Sequence, residues 1–565
     1  MKLFYSFVSF FTSFASLFLI SSSMLAQDRN AHREIPDDAY IPISRSSMEK
    51  SPAYQITNTN YFTRQVNVDA NGNDMIGDAA NEPSIAVDPT NPDRIVIGWR
   101  HFETTSSNFR QAGYGYSTDG GITWTFPGVL DPGNFRSDPV LDFDAEGNFY
   151  YNSLMEGFEC EVFEITDGGV IWEAPVPANG GDKQWMRIDR TGGVGDKNNY
   201  SYWNSSISTC SPGFFTRSID GSETFEECVT VDGDPYWGTL AVNKNGILYL
   251  TGTTNNSNIV VAKSTTAKDP AITPVTWDSF SPVDLDGRLT VLASVNPAGL
   301  MGQAWVDVDI SNGPGEGNVY VAASVERSSN NDPSDVMFAK STDDGETFST
   351  PLRINQDDVG NDAYQWFGTM AVAPNGRIDI VWLDTRNAAA GTNDSELFYS
   401  YSEDQGETWS DNEAISIAFD PNIGYPQQDK MGDYFDLVSD NDFAHLAWAN
   451  TINGGQDVYY TRISPEGILN VHDITSANLK ASLYPNPITS KTILEFFVEK
   501  ESKTRVEVYD ILGRSVNILL NKTTLGKQKI IWSGINSEGI KLSSGLYFIT
   551  IETGNKKQTL KAILR

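Results

Sequence analysis

Cysteine and histidine are scarce, with three Cys and four His in 565 residues. Cys160, Cys210 and Cys228 are too few for a disulfide scaffold, and an odd number leaves at least one thiol unpaired within the chain. No spacing among them suits zinc, and His32, His101, His445 and His472 are too scattered for a histidine-rich metal centre. Positive charge is also short: 40 Lys and Arg stand against 74 Asp and Glu, a net charge of −34. Such a surface repels phosphate backbones and anionic bilayers, which excludes a nucleic-acid binder. Beyond the first 26 residues there is no apolar run of the roughly 18 residues that a membrane span needs. What the chain does hold is 65 aromatic residues and 73 Gly and Pro, with charged residues at 20%. That balance describes a folded all-β protein rather than a disordered or long-helical one.

The two ends differ from the middle. Lys2 precedes an apolar stretch from Leu3 to Ile20, followed by Ser21, Ser22, Ser23 and small residues ending at Ala26. This is the order of a secretory signal peptide, with cleavage expected after Ala26. From Ser476 onward the charge is +7, while the first 475 residues carry −41. The change of sign marks a boundary between two pieces. In an oxidising compartment Cys210 and Cys228, which flank one predicted hairpin, either bridge or remain buried thiols; the sequence leaves both open.

Internal repetition is the main signal. Ser117-Thr118-Asp119-Gly120-Gly121-Ile122-Thr123-Trp124 recurs as Ser218 to Phe225, Ser341 to Phe348 and Ser402 to Trp409. A worn copy keeps Asp167, Gly168, Gly169 and Trp172, and a poorer one spans Ser264 to Trp277. An Asp carboxylate caps the N–H groups of a tight turn, Gly supplies positive φ, and the final aromatic packs under the hairpin. These aspartates are therefore folding devices, not catalytic candidates.

The segments resemble Asp boxes, the bacterial neuraminidase repeats of sialidase-like β-propellers. In that family the box joins the third and fourth strands of a four-stranded blade. Two alternating runs precede each box here, such as Ser84–Asp88 with Ile95–Arg100 and Phe367–Val372 with Ile378–Leu383. The last unit has Tyr434–Val438, Ala444–Trp448 and Val458–Ile463, and Tyr61–Val68 is expected to supply its fourth strand. The expected fold is all-β: a seven-bladed β-propeller with Asp-box turns over residues 57–464, followed by a small β-sandwich.

After a linker at residues 465–478 come Leu483-Tyr484-Pro485-Asn486-Pro487, Val506-Glu507-Val508-Tyr509-Asp510, Gly513-Arg514, Ser544 to Ile549 and Lys561. These landmarks resemble the C-terminal sorting domain of the type IX secretion system of Bacteroidetes. The resemblance implies a sorting domain over residues 479–565, of roughly seven strands, and partnership with that secretion machinery. With residues 1–26 as leader and 27–56 as linker, it also implies an exported protein, released or held at the outer surface, expected to be a monomer.

In a propeller, ligands are expected where the innermost strands begin and the second strands end. Trp185, Trp237, Trp305 and Trp366 stand there as faces for sugars, and Arg100, Arg327 and Arg386 as a clamp for carboxylate or sulfate. Each arginine also has a neighbouring carboxylate to pair with, in Glu82, Glu326 or Asp384. The sialidase resemblance would make Tyr434 the nucleophile, Glu326 its activating base and Asp138 the acid on the leaving oxygen. The Arg of the family's Arg-Ile-Pro motif is missing, because the matching place reads Asn81-Glu82-Pro83. By analogy with seven-bladed polysaccharide lyases, Arg100 would neutralise a uronate while His101 or Tyr434 abstracts the adjacent proton. No cofactor is called for. Structural calcium is left open by Asp142 to Gly147, where position twelve is Ser153 instead of Glu, and by Asp307 and Asp309 before the Asn312–Asn318 loop.

The expectation is a secreted or surface protein acting on extracellular, acidic glycans as a hydrolase or lyase, with true exo-sialidase activity disfavoured. The alternative is a non-catalytic glycan- or protein-binding propeller, an adhesin. It differs in requiring arginines tied in ion pairs and no free acid–base pair.

Overall fold

The computed structural model describes residues 38–166, 171–330, 332–465, 481–510, 514–554 and 556–565. The leader, the worn repeat at Asp167, Gly168 and Gly169, the linker beyond Pro465 and Gly513 lie outside the described residues. The chain divides into two compact units, Met1–Pro465 and Glu466–Arg565.

Alternating runs in the first unit pair into seven antiparallel sheets of three to five strands. Their innermost strands are Ala79–Val87, Ser137–Phe143, Trp185–Ile188, Leu240–Val242, Trp305–Val308, Gln365–Val372 and Asp436–Ser439. Each touches the next and the last touches the first, so the strands form a closed ring. The N-terminal strand Tyr61–Gln65 completes the last sheet by pairing with Asp457–Ile463, Tyr61 opposite Ile463. The first and last strands of the ring are thereby locked together.

An innermost strand has a sheet partner on one side only, so the N–H groups on its other edge need other acceptors. Neighbouring sheets supply them. Ser84 Oγ accepts from Leu141 N at 2.8 Å, Asp142 Oδ2 from Ile188 N at 2.6 Å and Thr239 Oγ1 from Val306 N at 3.0 Å. Asp307 Oδ2 accepts from Val372 N at 2.8 Å, and Asp436 Oδ2 from Ile85 N at 3.0 Å. These short polar side chains hold one sheet to the next.

The four full repeats adopt one geometry. Ser117 Oγ accepts from Gly121 N at 2.9 Å, and Asp119 accepts from Thr123 N at 2.9 Å and Thr123 Oγ1 at 2.7 Å. The same bonds join Ser218, Asp220 and Thr224, then Ser341, Asp343 and Thr347, then Ser402, Asp404 and Thr408. The hydrogen bonds from Thr347 hold the Asp343 carboxyl down at about 2, so it stays an ionised cap. A second recurring cap closes the turn after the innermost strands: Asp88, Asp144, Asp189, Asn243, Asp309 and Asp440 each accept from the N–H two residues on. Asp144 and Asp309 were the centres of the two calcium candidates, and their oxygens serve these turns. Among the described residues no group of three or more metal-ligating side chains occurs.

Cys210 and Cys228 form a disulfide across 18 residues, while Cys160 is a buried free thiol raised by burial. Closing a loop of that length restricts the unfolded chain by about 3 kcal/mol. Cys228→Ser is therefore expected to destabilise the first unit by about that amount. Urea denaturation with and without reductant checks this: the wild type should weaken to the variant's level in reductant, and the variant should not respond.

The second unit departs from the expected seven-stranded sandwich. It is one five-stranded sheet, Ser482–Tyr484, Thr492–Tyr509, Gly545–Thr553 and Lys556–Leu564 in order, with Ser515–Trp532 also paired to Thr492–Tyr509. Two strands of 18 residues replace several short ones because register shifts between Val498 and Ser502 let one strand bend without ending. Leu494, Phe496, Val506, Val508, Trp532 and Ile549 are buried in its core.

Candidate functional site

The start of each innermost strand carries a residue with left-handed backbone: Glu82, Asp138, Lys183, Trp237, Gly302, Phe367 and Gly432, with φ from 44° to 124°. Register shifts at Asn81/Ser84 and Trp366/Thr369 mark bulges at Glu82 and Phe367, which re-aim side chains. At Gly432 the conformation is combined with a close approach, since a Cβ there would lie 2.5 Å from Glu82 Cγ. The five non-glycine residues hold φ > 0 with strain of the kind that gathers at functional positions.

These strand starts assemble a buried charge network. Lys183 Nζ lies 2.6 Å from Asp433, 3.5 Å from Asp138 and 3.9 Å from Asp182. Lys430 Nζ lies 2.7 Å from Asp433 and 3.3 Å from Glu82, and Arg100 Nη1 donates to Glu82 Oε1 at 2.5 Å. All seven groups are buried. The end that sequence reasoning treats as an open mouth is thus closed, because residues 424–432 and the hairpin of Val291–Ala293 with Asn296–Leu300 meet over it. Asn296 Nδ2 donates to Gly432 O at 2.9 Å, Met431 N to Asn296 Oδ1 at 2.8 Å, and Gln428 Oε1 accepts from Arg100 Nη2.

Of the residues chosen for catalysis, Tyr434 and Asp138 lie near one another, whereas Glu326 and His101 have other neighbours. Tyr434 is buried, its hydroxyl donates to Pro139 O at 2.8 Å, and burial with Glu82 and Asp138 nearby pushes its pKa well up. Glu326 lies on the end of Val319–Arg327 and pairs with Arg288 at 2.8 Å. Asp138 accepts from Ser137 Oγ at 2.8 Å and Lys183 N at 3.2 Å. His101 is buried against Phe126, and burial followed by the charge of Arg45 lowers it to about 3, so its imidazole is neutral.

Nor do the three arginines form a clamp. Arg100 is committed to Glu82, Arg327 to Asp286 and Asp335 at 2.6 Å each, and Arg386 to Asp384 at 2.6 Å. The four tryptophans Trp185, Trp237, Trp305 and Trp366 are buried and offer no face to a sugar. Trp185 packs edge-on against both Trp305 and Tyr434, ring centres 5.2 Å apart in each case. Aromatics from three non-adjacent sheets thereby plug the ring axis.

An accessible cavity lies at the other ends of the innermost strands. It has a volume of about 630 Å³ and is walled by aliphatic residues such as Val242, Val306, Met370 and Leu437. Arg187, Arg190 and Lys244 supply its cationic groups; the two arginines reach Asp142, at 3.6 and 2.5 Å. None of these was singled out from the sequence as a ligand contact. The available signal was an arginine on the short strand Trp185–Ile188, between buried apolar neighbours.

Next to this floor, burial pushes the Asp436 carboxyl up to about 7, against hydrogen bonds from Ser84 and Ile85 and the charge of Arg187. The folded chain then keeps a proton that an ordinary unfolded Asp, at about 4, releases. Stability is therefore expected to fall as pH rises from about 4 to 7, by at most about 1.4 kcal/mol per pH unit for this group. Asp436→Asn should flatten that slope. Melting temperatures at pH 5, 6, 7 and 8 check it, and equal slopes in both proteins would refute it.

Residues 482–565 match the family described as the secretion system C-terminal sorting domain. The chain ends in a sorting domain. It addresses the protein to the type IX machinery and hence to the cell surface or the medium. Among the described residues no helix is long and apolar enough to cross a membrane. No curated protein matches the chain by sequence. Solved structures that resemble it include a Dyadobacter fermentans protein of unknown function, 14% identical over 71% of this chain and 99% of that one, TM-score 0.38. The BP39L lectin of Burkholderia pseudomallei is 12% identical over 67% and 98%, TM-score 0.42. The endosialidase of phage phi92 is 8% identical over 89% and 87%, TM-score 0.41. Likeness at this level assigns no activity.

Proposed function

We propose that the protein is an exported seven-bladed β-propeller, built on Asp-box turns, that binds an extracellular glycan or protein and cleaves no glycan. Support for seven blades comes from the seven sheets around a closed ring and the left-handed residue at the start of each innermost strand. The four Ser-Asp-Thr turns of identical bonding support the Asp boxes.

The observation that carries the non-cleaving reading is that Tyr434, Glu326, Asp138 and the three arginines are committed to other groups, while His101 is buried and neutral. A hydrolase or lyase needs an acid and a base free to exchange protons across a substrate. Here the Tyr434 hydroxyl serves a backbone carbonyl, Glu326 serves Arg288, and the arginines serve carboxylates. Incubating the secreted chain with acidic polysaccharides and sialosides tests this. The expected result is no new reducing ends, no absorbance from unsaturated uronates, and saturable retention of a glycan on an array. Turnover that Tyr434→Phe abolishes would overturn it.

A further inference from the structure

We propose that the cavity at the C-terminal ends of the innermost strands is a binding site for an amphipathic monocarboxylate, a ligand with one carboxylate on an aliphatic body. The site is opposite the sealed end and does not rest on the glycan reading. Its volume of about 630 Å³ falls in the ordinary range of small-molecule sites. The apolar part of the wall is mainly aliphatic and comes from the strand ends of all the sheets in the ring, among them Val242, Val306, Met370 and Leu437. Phe143 is the aromatic residue in that wall, and the Arg190 guanidinium already covers its ring at 4.0 Å. No ring face is left for a sugar to stack on, so the complement of this wall is a hydrocarbon chain.

The polar groups set the sign of the head. Arg187 and Arg190 are 20% and 29% exposed, whereas the Asp142 they share is 3% exposed. Asp142 reaches both guanidinium groups, and the buried Asp307 and Asp436 also act on Arg187, while both guanidinium groups remain partly open to the cavity. The other acidic side chains of the lining are occupied. Asp307 accepts from Val308 N and Val372 N at 2.8 Å each, Asp88 caps Thr90 N and pairs with Arg94, and Asp440 holds His445. Asp442 is on the rim turn that Asp440 caps. Lys244, the third cation of the lining, is turned toward Ser311 O and Asn312 Oδ1 and pairs with Glu316 at 3.1 Å, so the arginines carry the recognition. A planar carboxylate suits the forked donors of arginine, and the apolar wall keeps water away from that pairing.

Calorimetric titration of the full secreted chain with octanoate, octanol and glucuronate tests the site. Expected are saturable 1:1 binding of octanoate, at least tenfold weaker binding of octanol, and none of glucuronate. Arg190→Gln should weaken octanoate by about tenfold, the loss of one charge-assisted contact, and leave octanol unchanged. Val306→Trp, which fills the wall, should remove both ligands. Arg187 also holds Leu240 O at 3.0 Å, so the exposed Arg190 carries the charge test. Equal affinities for octanoate and octanol, octanoate binding that survives Val306→Trp, or no saturable octanoate binding by the wild type would each overturn the proposal.

Discussion

Replacing Lys183 by methionine is expected to cost the first unit about 3–5 kcal/mol, the range for removing one partner from a buried charge group. The ammonium lies against Asp433, Asp138 and Asp182, with no exposed side chain among the four. Methionine matches the stem of lysine and fills the same space, so packing is nearly conserved and the loss reports charge. Arg100 and Lys430 remain, but they already serve Glu82 and Asp433. At least one carboxylate would then be buried without a counter-charge. Urea denaturation measures the loss. It should shrink at low pH, because the stranded carboxylates take up protons and folding no longer buries their charge. Lys183→Met combined with Asp433→Asn should recover part of it, since removing both members relieves the desolvation of the survivor. A loss under about 1 kcal/mol would mean that the network is hydrated like a surface pair, and that residues 424–432 do not seal it.

Local order was legible in the sequence where chemistry is local. The four Ser-Asp-Gly-Thr turns and the alternating strands carry their own hydrogen-bonding logic, and Tyr61–Val68 could be assigned to the last sheet because the propeller resemblance left that unit one strand short. What failed to read was closure. Asn81, Asp138, Trp185, Trp305 and Tyr434 stand at the right place in the chain to line an open mouth, but the cover is a hairpin near 291–300 meeting a segment at 424–432, neither of which has periodicity. Trp185 and Trp305 offered no way to tell a sugar platform from a plug, because an aromatic at a strand start serves either. Lys183 and Lys430 passed unnoticed for a related reason: a lysine beside aspartates reads as a surface pair until burial is known. The sorting domain shows the same limit, as bulges that join short strands into long ones leave no mark beyond an ordinary polar residue such as Ser502.

Trp185→Ala is expected to lower the stability of the first unit by about 3–5 kcal/mol and to open the axis of the ring. The indole is buried between Trp305 and Tyr434, which come from sheets that are not its neighbours. Those three rings meet where no strand can bridge, so backbone hydrogen bonds cannot compensate for a lost side chain. The neighbours are pinned: Tyr434 by its bond to Pro139 O, and Trp305 by the pairing of its strand, opposite Ala322. They cannot collapse fully into the vacated volume, and the residual cavity adds to the transfer cost. Trp185→Phe keeps an edge-on ring and should lose less than half as much. The plug also separates the charged network from the aliphatic cavity, a role that stability alone does not report. In the alanine variant water gains a path between the two ends, so backbone amides of Asp138, Lys183 and Gln184 should exchange hydrogen faster than in the phenylalanine variant. Faster exchange confined to these strand starts would establish the aromatic trio as a barrier. Uniform acceleration across all sheets would reduce it to core packing.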